Sequence, residues 1–462
     1  MAPRIAIVGG GSYQWVPKLL VDVANTASLH EAEIVIEDID PTPIPRMIEL
    51  IEHIGKVRGI PLRAAGTTDQ REALGGADFV IVSVSTGGFE SMRQDLEVPA
   101  RYGIRQSVGD TVGPGGISRA LRNIPVLLSV ARDMEELCPD AWLLNLTNPM
   151  TALCRAVTRE TSVKTVGLCH EITISHFILS LMLDANFLDM DLVVAGVNHL
   201  PIITDLRIGG DDGFARLRDL LDRGEEAADE GLAMDLPDGV LDGSPARGPK
   251  WTKGDLMDHN RVKLELFRRF GVLPGAGDRH LVEFFAGFLT EESGWGDRWG
   301  VHLTSIEDRE LGQAGHIRSF EEDLASNEVS EWPSGELVAP LIDSLLTGAV
   351  RTLPLNLPNL GQLPDLPADV TVEAMCLADG QGVRGRDRAP LPAFLAEQVR
   401  RVSASQELTV AAALTGDPDK VLEALLADPL AGRMDFDRLR QMRNDLLGAT
   451  APWLPQFMPA GQ

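Results

Sequence analysis

Two side chains with metal-binding chemistry stand at the ends of neighbouring predicted strands. Cys169 follows one strand in the segment GLCHE, and His199 follows the next in GVNHLP. A thiolate and an imidazole can share one divalent ion while water or substrate oxygens fill its open positions. Each residue alone has an ordinary alternative, because a cysteine is often a small buried apolar side chain and a histidine a structural one. Together they predict chemistry beyond plain hydride transfer, which needs no metal.

Further polar segments follow the other predicted strands. They are STGGFESMRQD, NLTNP and the glycine-rich VGDTVGPGGISRALR, which contains Asp110 and runs into a helix. Ligands of open α/β sheets bind beyond the carboxyl ends of the strands. These segments therefore predict one site at that edge of the sheet.

A glycine turn near the amino terminus indicates a dinucleotide cofactor. The stretch IAIVGGGS places Gly9, Gly10, Gly11 and Ser12 between a buried strand and a helix. Backbone N–H groups and the helix dipole can meet a pyrophosphate there. Gln14 stands where a third glycine is usual, so a tight structural turn is the alternative.

Acidic residues after the second predicted strand strengthen the cofactor prediction. Asp38 ends the segment EIVIED, and Asp40 lies close by. An acidic residue at this place typically accepts a hydrogen bond from a ribose 2′-hydroxyl, which favours NAD over its 2′-phosphorylated relative. Ser83, at the end of the fourth predicted strand, is a further expected cofactor contact.

The elements that position these residues alternate strand and helix. Apolar runs and helical periodicity predict a doubly wound parallel sheet of Rossmann type over residues 1–200, which would bind NAD. Residues 201–462 predict a mixed α+β domain for substrate binding and oligomerisation, with LPDGVLDGSPARGPKWTKGD as a loop or lid. The predicted strands are Arg4–Val8, Glu33–Glu37, Leu62–Ala65, Asp78–Ser83, Ala141–Leu146, Lys164–Leu168 and Leu192–Val197.

Composition limits the class of protein. The formal net charge of −26 argues against nucleic acid and anionic membranes as partners. The four cysteines form no CxxC pair or dense framework, which fits a reducing compartment. The amino terminus enters a strand pattern without a signal-peptide architecture, and we expect a cytoplasmic protein.

The motifs taken together resemble glycoside hydrolase family 4, the NAD- and divalent-metal-dependent glycosidases. The matching segments are VGGGS, GGFESMR, VGDTVGPGGISRALRNIP, NLTNP, GLCHE and VNHLP, in that order. The segment VKLELFRRFGVLPGAGDRHLVEFF extends the likeness to Phe285. The resemblance implies a lactate/malate dehydrogenase-like architecture and a homodimer or homotetramer.

The resemblance also implies a redox route to hydrolysis. NAD takes hydride from C3 of a glycoside, a base removes the acidified C2 proton, the C1 substituent is eliminated, water adds, and the hydride returns. Cys169 and His199 match the ligands of Mn²⁺ or another divalent metal, which would polarise the C3 ketone.

The same likeness assigns substrate contacts and proton donors. Asn148 and Arg93 match positions that contact the sugar in this family. Asp110 and His170 both match positions that carry the proton donor to the leaving oxygen, and the sequence leaves that choice open.

The expected base is where this chain departs from the family pattern. Several relatives carry a tyrosine in the segment matching GAGDRHLVEFF, but the only tyrosines here are Tyr13 and Tyr102, outside it. His280 stands near the equivalent position, with Asp278 two residues earlier, and either could serve as the base. A helix-capping aspartate and a first-turn histidine are the structural alternatives.

The branch of the family predicts the sugar. GAGDRHLVEFF and GLCHE look most like the α-uronidase and α-galactosidase branch, which favours an α-galacturonide or α-glucuronide. Arg93, Arg279 and His280 are candidate partners for the sugar carboxylate. A neutral α-galactoside or α-glucoside is the alternative within the family. An NAD-dependent 2-hydroxy-acid dehydrogenase is the alternative from another class, and a noncatalytic NAD-sensing protein is a third.

Overall fold

The computed structural model describes residues 2–232 and 250–458. The predicted loop or lid, residues 236–255, therefore lies mostly outside the described residues. Only its final part, 250–255, is described, and it leads into a helix that begins at Lys253.

One mixed sheet runs through both halves of the described chain. Its main path has the order β10-β8-β7-β12-β11-β6-β5-β4-β1-β2-β3, with β13 beside β12 and β9 beside β8. The strands are β1 Arg4–Val8, β2 Glu33–Glu37, β3 Arg63–Thr67, β4 Phe79–Val82, β5 Trp142–Asn145, β6 Lys164–Leu168, β7 Met190–Val197, β8 Leu200–Ile208, β9 Asp211–Asp212, β10 Leu273–Pro274, β11 Arg351–Pro358, β12 Thr371–Asp379 and β13 Gly382–Gly385.

The amino-terminal part of the sheet confirms the predicted Rossmann-type architecture. Strands β3-β2-β1-β4-β5-β6 are all parallel. Three strands have the predicted bounds, namely Arg4–Val8, Glu33–Glu37 and Lys164–Leu168. Their continuous apolar runs suit strands that helices cover on both faces.

Helices cover both faces of this sheet. One face packs against α5, α6 and α15–α17, and the other against α1, α2 and α14. The helices are α1 Val16–Asn25, α2 Ile44–Arg58, α3 Gln70–Leu74, α4 Gly88–Arg101, α5 Gly113–Leu137, α6 Met150–Glu160, α7 Glu171–Met182, α8 Gly213–Arg223, α9 Glu225–Ala228, α10 Lys253–His259, α11 Arg261–Phe270, α12 Asp278–Phe284, α13 Ile306–Ala325, α14 Val338–Thr347, α15 Ala393–Thr415, α16 Pro418–Ala427 and α17 Phe436–Ala449.

The seventh strand corrects one expectation. The sequence predicted Leu192–Val197 as a neighbour of the strand that ends at Cys169, but β11 and β12 lie between β6 and β7. Strand β7 is antiparallel to both β8 and β12. A buried apolar run looks alike in parallel and antiparallel sheets, whereas the short link from Val197 to Leu200 permits only an antiparallel hairpin. His199 therefore lies in a hairpin turn.

The two halves of the chain contribute strands to one sheet. The β7–β8 hairpin spans the predicted division at residue 200, and β11 and β12 of the second half extend the sheet from β6. The division into domains 1–200 and 201–462 stays a prediction. Among the described residues, no helix has the length and apolar character needed to cross a membrane.

Candidate active site

Three titratable side chains from distant parts of the chain meet in one cluster. Asp110, His199 and His280 offer ligand atoms that all lie within 4.8 Å of one another. The rings of His199 and His280 stack with centroids 3.7 Å apart. His199 is buried, while Asp110 and His280 are partly exposed, so the cluster, hereafter the Asp–His cluster, can be reached by a ligand.

Thr111 connects two members of the Asp–His cluster. Its hydroxyl donates to Oδ1 of Asp110 at 2.7 Å and lies 2.7 Å from Nδ1 of His199. Because the single hydroxyl proton goes to Asp110, Nδ1 of His199 must carry the proton that Thr111 accepts. The other ring nitrogen, Nε2, is then free to bind a cation.

The electrostatics of the Asp–His cluster suit a cation. Burial alone would raise the pKa of Asp110, but the neighbouring His280, His199 and Arg119 and the hydrogen bond from Thr111 outweigh it and lower the pKa below its usual range. Burial and the neighbouring His280 lower the pKa of His199 to about 3. An ionised carboxylate beside a neutral imidazole is the donor set that a divalent metal requires.

Glu283 holds the loop that carries Asp110. Its Oε1 accepts hydrogen bonds from the N–H groups of Val108 and Gly109 at 2.8 and 2.9 Å. The side chain is fully buried, and burial raises its pKa to about 7. Sequence reasoning missed Glu283, although a carboxylate inside the apolar run LVEFF was a usable signal.

Asn148, a predicted substrate contact, lies beside the Asp–His cluster. Its Nδ2 donates to Oδ2 of Asp110 at 3.2 Å, and its backbone carbonyl accepts from Nε of Arg119 at 3.1 Å. Its Oδ1 is buried and finds no partner among the described residues. An amide oxygen left in this state fits a ligand hydroxyl.

The two candidate bases occupy different environments. Both carboxylate oxygens of Asp278 accept from backbone N–H groups, those of Val262 and Lys263, at 2.7 and 2.9 Å. Asp278 thus satisfies the first turn of α11. Nδ1 of His280, by contrast, is buried without a partner in the described part of the chain.

Cys169 lies below the surface at the end of β6. Its neighbours include the side chains of Glu373, Glu171 and Asn198, and burial raises the pKa of its thiol well above the usual value. Asn198 immediately precedes His199, but the described ligand atoms that all lie within 4.8 Å of one another do not include the Cys169 sulfur.

His170 contacts a glutamate and a tryptophan. Its Nδ1 lies 3.0 Å from Oε1 of Glu336, a residue that follows α13. Burial acts to lower the pKa of His170, but Glu336 raises it above its ordinary value. The ring lies 6.0 Å from that of Trp15, which places His170 beside the glycine turn.

The predicted arginines differ in their surroundings. Arg93 forms ion pairs with glutamates, including Glu307 of α13 at 2.9 Å. Arg279 precedes His280 and donates to Oγ1 of Thr304. Both arginines stay predicted substrate contacts, and they are engaged with different partners.

Arg309 of α13 was not predicted, and it contacts the loop that carries Asp110. Its Nη2 donates to the carbonyl of Val108 at 2.9 Å, and its charge interacts with Asp110 and Arg279. Nε of Arg309 is buried with no acceptor in the described ranges. No sequence motif marked it, because a single arginine in a highly charged helix is usually solvated.

The glycine turn has the shape of a cofactor cradle. Gly9 has φ +77°, and a Cβ there would lie 2.2 Å from the Ser83 carbonyl. Gly11 donates its N–H to Oδ2 of Asp38 at 2.9 Å, so Asp38 lies directly beside the turn. Asp40 is exposed and accepts from Thr42.

The turn that leads into α1 offers free backbone donors. In the described structure, the N–H groups of Ser12, Tyr13 and Gln14 have no hydrogen-bond acceptor. Backbone donors at a helix start, behind a strand and a glycine turn, fit a pyrophosphate.

Nearly the whole chain matches known proteins of one family. The model of the family 4 glycosyl hydrolases matches residues 4–184, and the model of their C-terminal domain matches residues 194–431. An alpha-galacturonidase of Thermoanaerobacterium saccharolyticum is 34% identical over 447 residues, which cover 92% of this chain and 91% of that protein. An alpha-galactosidase of Bacillus subtilis is 30% identical over 459 residues, or 98% of this chain and 99% of that protein.

A solved structure shares the fold. The 6-phospho-beta glucosidase of Thermotoga maritima, determined with manganese, NAD⁺ and glucose-6-phosphate, superposes with a TM-score of 0.76. It is 21% identical, and the match covers 97% of this chain and 99% of that one.

Proposed function

The chain belongs to family 4 of the glycosyl hydrolases, and we propose that it is an NAD- and manganese-dependent α-galacturonidase. The observation that carries the choice of substrate is Arg309, whose buried Nε lacks an acceptor among the described residues next to the Asp–His cluster. A sugar carboxylate supplies such an acceptor, because arginine recognises carboxylates through paired N–H donors. The similarity to an alpha-galacturonidase supports the same choice.

The residues present fit both cofactors. Asp110 and His199 would hold the metal, with Cys169 as the further ligand that the resemblance implies. The glycine turn, Asp38 and the free N–H groups of the turn that leads into α1 would hold NAD. When bound, NAD would supply hydride transfer at the sugar, and the metal would supply Lewis-acid polarisation of the sugar oxygens.

We assign the two proton transfers to different side chains. His280 is suited to remove the C2 proton, because its Nδ1 has no partner in the described chain, while Asp278 is committed to α11. Asp110 accepts hydrogen bonds from Thr111 and Asn148, which suits a cation ligand. We therefore assign the protonation of the leaving oxygen to His170, which Glu336 orients.

A neutral α-galactoside is the second candidate substrate. The similarity to an alpha-galactosidase, which covers 98% of this chain, favours it. The expected cytoplasmic location and the dimer or tetramer stay predictions.

Removal of cofactors tests the proposed function directly. We expect the purified protein to cleave an aryl α-galacturonide in the presence of NAD⁺, Mn²⁺ and a thiol reductant, without accumulation of NADH. EDTA should abolish the activity, and added Mn²⁺ should restore it. Turnover that is indifferent to both EDTA and NAD⁺ removal, or stoichiometric NADH formation, would contradict the proposal.

The predicted thiolate ligand has its own test. Cys169→Ser should weaken Mn²⁺ binding about tenfold or more, because serine is a poorer ligand than a thiolate, while NAD binding stays nearly intact. Calorimetric titration with each ligand measures both. Wild-type activity of the variant at limiting Mn²⁺ would remove Cys169 from the metal site.

A further inference from the structure

A buried carboxylate from the second half of the chain lies beneath both predicted metal ligands. Glu373, on β12, is fully buried. Its register partners are Gly196 on β7 and Asn356 on β11. Among the described residues, no lysine, arginine or histidine forms an ion pair with it. Burying a carboxylate without a cationic partner costs free energy, so we expect Glu373 to have a compensating role.

Glu373 contacts the turn that carries His199. Its Oε2 accepts from Nδ2 of Asn198 at 3.2 Å, while its Oε1 is buried without a hydrogen-bond partner among the described residues. The N–H of Asn198 donates in turn to Oγ1 of Thr151 at 3.2 Å. The turn is therefore held from two sides.

The conformation of this turn needs such support. His199 has φ +62°, a left-handed conformation that residues with a Cβ adopt at a cost in free energy. The two hydrogen bonds of Asn198, one from its side-chain amide and one from its backbone N–H, fix the residue that directly precedes this histidine.

The same amide reaches Cys169. The side chains of Asn198 and Glu373 both lie close enough to the Cys169 sulfur to act on it. One carboxylate therefore contacts the amide that lies beside the thiol and directly precedes His199. A divalent ion at those ligands would also supply the positive charge that Glu373 lacks.

We propose that Glu373 is a positioning residue for the metal site, acting through Asn198 on Cys169 and through the turn on His199. This inference rests on the proposed function, because that function supplies the metal. Carboxylates behind metal ligands fix ligand orientation, and their loss weakens metal binding about 10- to 100-fold.

The test is Mn²⁺ binding to the full-length protein without substrate, measured by electron paramagnetic resonance. We expect Glu373→Ala to raise the Kd about 10- to 100-fold. Glu373→Gln keeps an acceptor for Asn198 but loses the charge, so its Kd should rise by less, about three- to tenfold. Thr371→Val is the matched control, because Thr371 is buried on the same strand two residues away, and its Kd should equal that of the wild type.

NAD binding, followed by fluorescence, reports folding of each variant and should not change. A Glu373→Gln protein with the wild-type Kd overturns the proposal, whether or not Glu373→Ala folds. A Thr371→Val protein weakened as strongly as Glu373→Ala also overturns it, since the effect would then be general to the strand. A wild-type protein that binds no Mn²⁺ contradicts the proposed function itself.

Discussion

Replacement of His280 by asparagine lowers kcat on an aryl α-galacturonide about 100- to 10,000-fold, the range expected when a general base is lost. The reason is geometric, because His280 stacks on His199 at 3.7 Å and its buried Nδ1 has no partner in the described residues. The measurement is kcat at saturating Mn²⁺ and NAD⁺, together with solvent exchange of the C2 proton. Exchange should fall in parallel with kcat.

Asp278→Asn is the matched control for this prediction. Asparagine at this position weakens one of two hydrogen bonds to the start of α11, which costs stability of about 0.5–2 kcal/mol. Its kcat, corrected for the folded fraction, should stay close to that of the wild type. A large loss of C2 exchange in Asp278→Asn, with exchange retained in His280→Asn, would reverse the assignment of the base.

Replacement of Arg309 by glutamine lowers kcat/KM on an α-galacturonide about 10- to 100-fold and changes α-galactoside turnover little. A hydrogen bond to a charged group contributes about 1.5–3 kcal/mol, and only the uronide carries the carboxylate that Arg309 would bind. The measurement is kcat/KM for the two aryl glycosides compared side by side. Arg309→Lys should fall between the wild type and Arg309→Gln, because lysine keeps the charge but loses the paired donors.

Arg318→Gln provides the control on the same helix. Arg318 is exposed on α13, so its loss should leave both substrates unaffected. Equal losses on galacturonide and galactoside in Arg309→Gln would show that Arg309 does not recognise the carboxylate, and would favour the neutral sugar.

The parallel half of the fold could be predicted from the sequence because its signals are local. Each strand is a short apolar run closed by a turn or a polar residue, and three of the predicted strands match the structure at both ends. The place of β7 could not be predicted, since β11 and β12 come from more than 150 residues later in the chain and insert between β6 and β7. Strand order of this kind depends on long-range pairing.

Part of the candidate site could also be predicted from the sequence, because its signals are local. Asp110, His199 and His280 each lie in a motif that the sequence marked, and the structure brings them together. Only the fold brings three further residues to the site, namely Glu283, Arg309 and Glu373. Glu283 and Glu373 left a visible signal, because each interrupts an apolar run with a carboxylate, whereas Arg309 lies in a helix already rich in charge.

Proton NMR of an aryl α-galacturonide in D₂O, with the protein, NAD⁺, Mn²⁺ and a thiol reductant, distinguishes the oxidation and elimination route from direct hydrolysis. We expect free galacturonate that carries deuterium at C2, without a matching build-up of NADH. Cleavage that leaves the C2 proton in place would contradict the oxidation and elimination route.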